Sequence, residues 1–339
     1  FLAEHEQRFN IVTKHTEDEI SAINMAIGAS FAGARIMVAT AGGGFSLMVE
    51  GLGLAAIAET PIVIVVSQRP GPATGMPTWT EQADLKFVLN ASQDEFVRVV
   101  LSPGDLDELF YYTFEAFNIA ERYHVPVILL SDKFLSESYF NTNRFSTSEL
   151  RVDRGLIFDG DLEKPMEFYP RYKEVLNGVG MRPFPGTSGG LYKAVGNEHD
   201  EYGFVTDGAE NRVVQQDRRF KKEKYLKKEI PLPKLYGNEN AEITVVCWGS
   251  LKQQMLEVIK HNNRINFIHF SAIHPLDWDS VKNLLNNRKL ILVENNKTAQ
   301  LGKIITSNTG IIIEKKLLKY DGRPFFVEEL LNELSKELL

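Results

Sequence analysis

The hydrophobic positions of the first part of the chain alternate between a helical and a strand period. Residues 16–34 place Ile20, Ile23, Ala26, Ile27 and Ser30 at helical spacing, and the apolar run 36–40 follows as a buried strand. After the turn Ala41-Gly42-Gly43-Gly44, the pattern predicts a Gly/Ala-rich helix over 45–59, a strand over 62–67 and a Pro/Gly-rich loop over 68–77. A helix after Thr80, a strand over 96–100, a helix over 106–123 and a strand over 125–130 complete the series. Strands separated by helices imply a parallel sheet covered on both faces.

From about 136 to 225 the periodicity dissolves into Gly, Pro and charge. A stretch that long inside a compact domain is usually functional or an interface arm. Its basic run, 212–228, is interleaved with acids and reads as a solvated helix and linker. Near Ala241 a second unit begins, with strands over 243–248, 265–270 and 289–294 between helices over 251–261, 278–286 and 298–309. An edge strand over 311–314 and an amphipathic helix over 324–338 close it. The expected fold class is α/β with two parallel-sheet domains, 1–235 including the irregular arm at 136–225, and 236–339.

Composition narrows the function classes. Lys and Arg number 38 against 45 Asp and Glu, and the resulting net charge of -7 argues against nucleic acid or an anionic membrane as the main partner. No apolar run approaches the roughly 18 residues of a membrane span, so a cytoplasmic chain is expected. Cys247 is the single cysteine, which excludes an internal disulfide and a cysteine-ligated zinc or iron–sulfur cluster held by this chain alone. The chain opens at Phe1 without methionine or targeting signal, and the expectation is that it begins in mid-protein.

Ligands of open α/β sheets sit beyond the carboxyl ends of the strands, which directs attention to the loops after Thr40 and Ser67. The second of these, 67–78 (SQRPGPATGMPT), is a stiff loop able to hold the Arg69 fork against a carboxylate; a structural pair between Arg69 and a neighbouring acid is the competing reading. Gly42-Gly43-Gly44 has neither Walker A nor dinucleotide spacing and reads first as a tight turn with close helix packing. Thr16-Glu17-Asp18-Glu19 fits a capping box with Glu19 at its third helical position, against the alternative of an acid facing a ligand. His124, His269 and His274 stand at structural positions, and Cys247 reads as a small buried apolar residue. The adjacent residues Glu198-His199-Asp200-Glu201 lack the spacing of converging metal ligands. No Gly-x-Ser-x-Gly elbow supports a hydrolase.

Taken in order, 16–35 (TEDEISAINMAIGASFAGAR), 45–59 (FSLMVEGLGLAAIAE), 68–85 (QRPGPATGMPTWTEQADL), 115–126 (EAFNIAERYHVP), 196–203 (GNEHDEYG) and 318–325 (LKYDGRPF) resemble the α subunit of 2-oxoacid:ferredoxin oxidoreductases over essentially the whole chain. The resemblance implies a thiamine-pyrimidine-binding domain followed by a transketolase C-terminal-like domain. It implies that Glu19, with Glu17 as the fallback, hydrogen-bonds N1′ of the aminopyrimidine of thiamine diphosphate, supporting removal of the thiazolium C2 proton. It further places Arg69 on the 2-oxoacid carboxylate and Thr74 beside it. The implied reaction is oxidative decarboxylation of a 2-oxoacid to an acyl-coenzyme A, with electrons passed to ferredoxin. Thiamine diphosphate is then shared with a partner β subunit, which holds Mg²⁺ and a [4Fe–4S] cluster.

The chain also departs from the family pattern. A Tyr-Pro-Ile-Thr-Pro loop, and a fused γ domain with it, are expected before Phe1, and Ala91-Ser92-Gln93-Asp94-Glu95 replaces a His-Gly turn, leaving the coenzyme A contacts at 90–96 unassigned. The alternatives are a thiamine-fold scaffold without catalysis and an enzyme of transketolase or 2-oxoacid dehydrogenase type.

Overall fold

The computed structural model describes residues 1–161 and 168–338. The first half runs α1 (Glu6–Phe9), α2 (Glu19–Phe31), β1 (Met37–Thr40), α3 (Gly42–Ile57), β2 (Ile62–Gln68), α4 (Leu85–Asn90), β3 (Val99–Leu101), α5 (Leu106–Tyr123), β4 (Pro126–Asp132) and α6 (Lys133–Glu137). Then α7 (Ala209–Glu229) leads to β5 (Lys234–Tyr236), β6 (Ile243–Trp248), α8 (Leu251–His261), β7 (Ile265–Phe270), β8 (Ala272–His274), α9 (Trp278–Leu285), β9 (Leu290–Glu294), α10 (Gln300–Thr309), β10 (Lys315–Leu318) and α11 (Val327–Lys336).

Among the described residues the strands form two five-stranded sheets, ordered β1-β2-β4-β3-β8 and β10-β9-β6-β7-β5. Each is parallel except for one antiparallel edge strand, β8 on β3 and β5 on β7. The parallel strands β2 and β4 are covered on both faces, which explains why Ile62, Val63, Ile64, Val127, Ile128 and Leu129 form unbroken apolar runs instead of alternating. Strand β8 belongs by sequence to the second half but pairs in the first sheet, at Val100↔His274. The main hydrophobic cluster likewise joins Ile64 and Val100 to Trp248, Phe270 and Leu292.

The edge strand expected over 311–314 is displaced to Lys315–Leu318, which pairs with β9 from Lys315↔Ile291. The reason lies at the end of α10. Thr306 donates to the Ile311 carbonyl and Thr309 accepts from the Ile311 N–H, so threonines take the backbone groups a ladder would need.

The basic run is one long helix, α7, and it is not solvated on all sides. Gln215, Arg218, Arg219, Lys222 and Leu226 lie on a buried face, because acids from other elements neutralise its charges. Glu59, just past α3, pairs with Arg218 and Lys222, and Glu198 pairs with Arg212 and Arg219. The irregular arm is fastened in the same way: Arg154 and Arg182 converge on buried Glu121, and Arg171 contacts the ring of His124. No helix among the described residues is long and apolar enough to cross a membrane.

Candidate functional site

The carboxyl ends of β1 and β2 open beside the first turn of α3, the crevice where parallel sheets bind ligands. Three glycines start this helix, and two of them are there for closeness. A side chain on Gly44 would overlap the Thr40 hydroxyl and come within 2.5 Å of Glu19 Oε1; one on Gly42 would press on the Asp84 carboxyl, 2.8 Å from its Cγ. A side chain on Gly43, between them, would meet only the Ala73 carbonyl, at an ordinary contact distance of 3.8 Å. One helical turn thus has Glu19, the loop after β2 and Asp84 around it. Its N-cap, Ala41, brings no side-chain cap, so the positive end of the α3 dipole faces these carboxylates.

Glu19 does not act as the third member of a capping box. Asp18 is the N-cap of α2, accepting from Ser21 N at 2.7 Å, while Thr16 donates to the Asp18 carbonyl. The helix therefore starts one residue before Ile20, and Glu19 at its first position is free to reach α3. Its carboxylate is half-buried and takes no hydrogen bond among the described residues. Glu17 precedes the helix and is exposed.

Arg69 leaves the end of β2 half-buried and makes no ion pair among the described residues. Its charge acts on Asp84, whose N–H is held by Gln68 Oε1 at 2.9 Å. Burial pushes the Asp84 carboxyl up to about 6 against the pull of Arg69, and its buried Oδ2 has no hydrogen-bond partner. Thr74 sits exposed at the loop tip between Ala73 and Gly75, both at positive φ; the Gly75 conformation brings it so close to the Pro70 carbonyl that no Cβ fits.

Asp84 and Thr40 escaped the sequence reading. A lone acid before an apolar helix and a threonine ending a strand carry no spacing signal. Gln82 is a further case. It is buried and binds across the two halves, donating to the Trp248 carbonyl at 2.8 Å and exchanging hydrogen bonds of 2.7 and 3.0 Å with Asn295.

The other chemistry-bearing residues are structurally spent. Burial would raise the Glu198 carboxyl, but Arg219 and Arg212 pull it down to about 2, and no group of acids, histidines and cysteine able to hold a metal occurs among the described residues. Cys247 lies inside β6, where burial pushes its thiol up, away from reactivity. His124 and His269 are buried and neutral. Residues 93–96 line a cavity of about 190 Å³ with Gly53, Arg212 and Gln216, beside the Asp94–Arg212 pair.

Residues 1–218 match the family described as pyruvate flavodoxin/ferredoxin oxidoreductase, thiamine diphosphate-binding. The chain belongs to that family. It is 40% identical over 331 residues to 2-oxoacid:ferredoxin oxidoreductase 1, subunit alpha, of Aeropyrum pernix, a match covering 95% of this chain and 51% of the relative. A match to 2-oxoglutarate synthase subunit KorA of Methanothermobacter marburgensis, at 30% identity, covers 94% of this chain and 84% of that one. Among solved structures, the 2-oxoglutarate:ferredoxin oxidoreductase of Magnetococcus marinus, with 2-oxoglutarate, coenzyme A and succinyl-CoA bound, superposes with a TM-score of 0.90 at 29% identity, over 99% of this chain and 59% of that chain. The chain thus spans about half the length of the 2-oxoacid:ferredoxin oxidoreductase α subunit it matches.

Proposed function

We propose that this chain is the catalytic α part of a 2-oxoacid:ferredoxin oxidoreductase. Glu19 receives the pyrimidine ring of thiamine diphosphate, and Arg69 with Thr74 seats the carboxylate of the 2-oxoacid. One observation carries the reading: around one helical turn at the strand ends stand the Glu19 carboxylate and the loop that carries Arg69, neither side chain in an ion pair among the described residues, and the glycines of that turn let both approach its backbone closely.

The residues present fit the cofactor. A carboxylate with no hydrogen bond among the described residues suits a ring nitrogen that carries a proton, and Gly44, lacking a side chain, lets that carboxylate come close against the first turn of α3. Bound thiamine diphosphate would supply the nucleophilic carbon and the electron sink for decarboxylation. Glu19 holds and shares a proton at the nitrogen it faces. Arg69 offers two parallel N–H donors to a carboxylate, fixing the orientation of the substrate. Thr74 adds a hydroxyl at the loop tip.

The diphosphate, Mg²⁺ and [4Fe–4S] cluster belong to a β subunit in this proposal, since the chain has one buried cysteine and no metal-binding group of acids, histidines and cysteine among the described residues. Electrons go to ferredoxin and the acyl group to coenzyme A, in the cytoplasm. The test is reduction of viologen by the purified complex with thiamine diphosphate, coenzyme A and pyruvate or 2-oxoglutarate. Dependence on all three additions is expected. Transfer to lipoamide or a sugar without viologen reduction would overturn the proposal in favour of a dehydrogenase or transketolase, and inactivity with every acceptor in favour of a scaffold.

A further inference from the structure

We infer that Arg323, in the second α/β unit, is a positioning residue for the substrate loop: its guanidinium stacks on Trp79 and fixes the chain segment that carries Arg69 and Thr74. The inference rests on the reading that this loop seats the 2-oxoacid.

Between the end of β2 and the start of α4 the backbone has no sheet or helix to define it, and a flexible seat would lose binding energy to ordering. The first anchor of the segment is β2 itself. Its second is supplied from the other half of the molecule. The Arg323 Cζ lies 3.1 Å from the centroid of the Trp79 ring, a cation–π contact. Beside it, the Gly322 carbonyl accepts the Thr80 N–H at 3.2 Å. Gly322 has φ +83°, and a side chain there would come within 3.0 Å of Met76 Cε and 3.2 Å of Trp79 Cβ, so the two loops meet backbone to side chain with no space between them. Trp79 passes the contact on, because its N–H donates to the Met76 carbonyl and Met76 N donates to the Pro70 carbonyl.

The supporting loop is itself braced. Asn295 Nδ2 donates to the carbonyls of Lys319 (2.7 Å) and Arg323 (3.2 Å), the Arg323 N–H is accepted by Asp321, and Lys319 N donates to the Glu294 carbonyl. A continuous chain of contacts runs from the end of β9 to the substrate loop. Arg323 has no acidic partner among the described residues, and its buried Nη1 lacks a hydrogen-bond acceptor, so the guanidinium is held through its face. A merely structural role in joining the halves is already filled elsewhere. Gln82 with Asn295 and Asn296, and Gln300 with Ala83 and Lys86, hold the seam just after this point. The Arg323 contact is made upstream of that seam, on the side toward Thr74.

The test uses the complete α polypeptide with its β subunit and two readouts, amide hydrogen exchange across 69–80 and steady-state viologen reduction with pyruvate and 2-oxoglutarate. For Arg323→Ala the expected results are faster exchange in 74–80 and a KM for the 2-oxoacid raised about fivefold to tenfold, with kcat changed less than about twofold, the size a lost cation–π contact allows. Arg323→Lys, which keeps a cation over the ring, should restore most of the KM, and Trp79→Leu should reproduce the Ala variant. Unchanged exchange, an unchanged KM, or a fall in kcat alone overturns the inference. If the Ala variant does not fold, the Lys and Trp79→Leu variants decide by the same criteria. A wild-type complex that turns over neither 2-oxoacid overturns the proposed function instead, and the exchange rates alone then decide whether Arg323 fixes the loop.

Discussion

The two ends of α3 treat charge in opposite ways. Past its C-terminus, Glu59 is 1% exposed and is met by Arg218 and Lys222, themselves buried. Burial by itself would push its carboxyl up, yet the two cations hold it well below the usual range; burial lowers Lys222 to about 8, less than it would without Glu59. One buried carboxylate there is shared by two buried cations of the same chain. At the N-terminus, Glu19 and Arg69 have no ion pair among the described residues, and Asp84 keeps an orphan oxygen. Charge is paired inside the chain at one end of the helix and left without ion pairs among the described residues at the other, and in the proposed function the open end is the one a ligand completes.

Breaking the closed end should give the largest change in stability. Glu59→Gln leaves two buried cations uncompensated and is expected to cost about 3–5 kcal/mol in denaturant unfolding. A loss below about 1 kcal/mol would show that water or neighbouring carbonyls satisfy Arg218 and Lys222 without it.

The open end should respond in activity and leave folding nearly alone. Glu19→Gln keeps the shape beside Gly44 and removes the acid, so kcat is expected to fall by about 100-fold or more with little change in melting temperature. Normal activity in that variant would return Glu19 to a packing role. Arg69→Lys should raise KM for a 2-oxoacid by roughly 10-fold to 100-fold through loss of the two-point fork, and an equal KM for both proteins would remove Arg69 from the substrate site.

A pH series separates the buried interior from the exposed crevice. Burial pushes His269 down to about 4, and its Nε2 lies 2.9 Å from the Gly249 carbonyl. Because the folded pKa is depressed below the unfolded value near 6.5, the unfolded chain takes up the proton first. Stability is therefore full above about pH 6.5 and is lost at up to about 1.4 kcal/mol per pH unit as the pH falls toward 4. His269→Gln should flatten this slope; a slope identical to wild type would assign the acid lability to other groups. The smallest effect belongs to Glu17→Gln, an exposed acid before α2, where unchanged activity and stability are expected and a large loss of activity would transfer the role of Glu19 to Glu17.

Much of the molecule was legible in one dimension because its causes are local. The apolar runs of β2 and β4 identified buried parallel strands, and the prolines and glycines after Ser67 pointed to an irregular loop and to Arg69 as a candidate on it. The failures have equally definite causes. A capping box at Thr16 follows from local spacing, but Asp18 takes the N-cap, accepting from Ser21 N, while the Thr16 hydroxyl is spent on the Asp18 carbonyl. The spacing of Arg218 and Lys222 says only that they share a helix face; their acid lies more than 150 positions away, so solvent was the default partner.

The sequence alone determined the periodicities, hence the two α/β units, and the residue types from which a carboxylate site is made, since these depend on neighbours within a turn or a strand. Tertiary structure decided which charges would be left over. Glu19 and Glu59 are the same residue type near opposite ends of one helix, and only packing tells them apart: α7 brings cations to Glu59, whereas Gly44 lets Glu19 pack close against the first turn of α3, where no cation pairs with it among the described residues. The same holds for Arg323 and Trp79, more than 240 positions apart, whose contact exists only because the second sheet closes against the first. Burial and proximity are properties of the folded chain, and they decide which charges are paired and which are not.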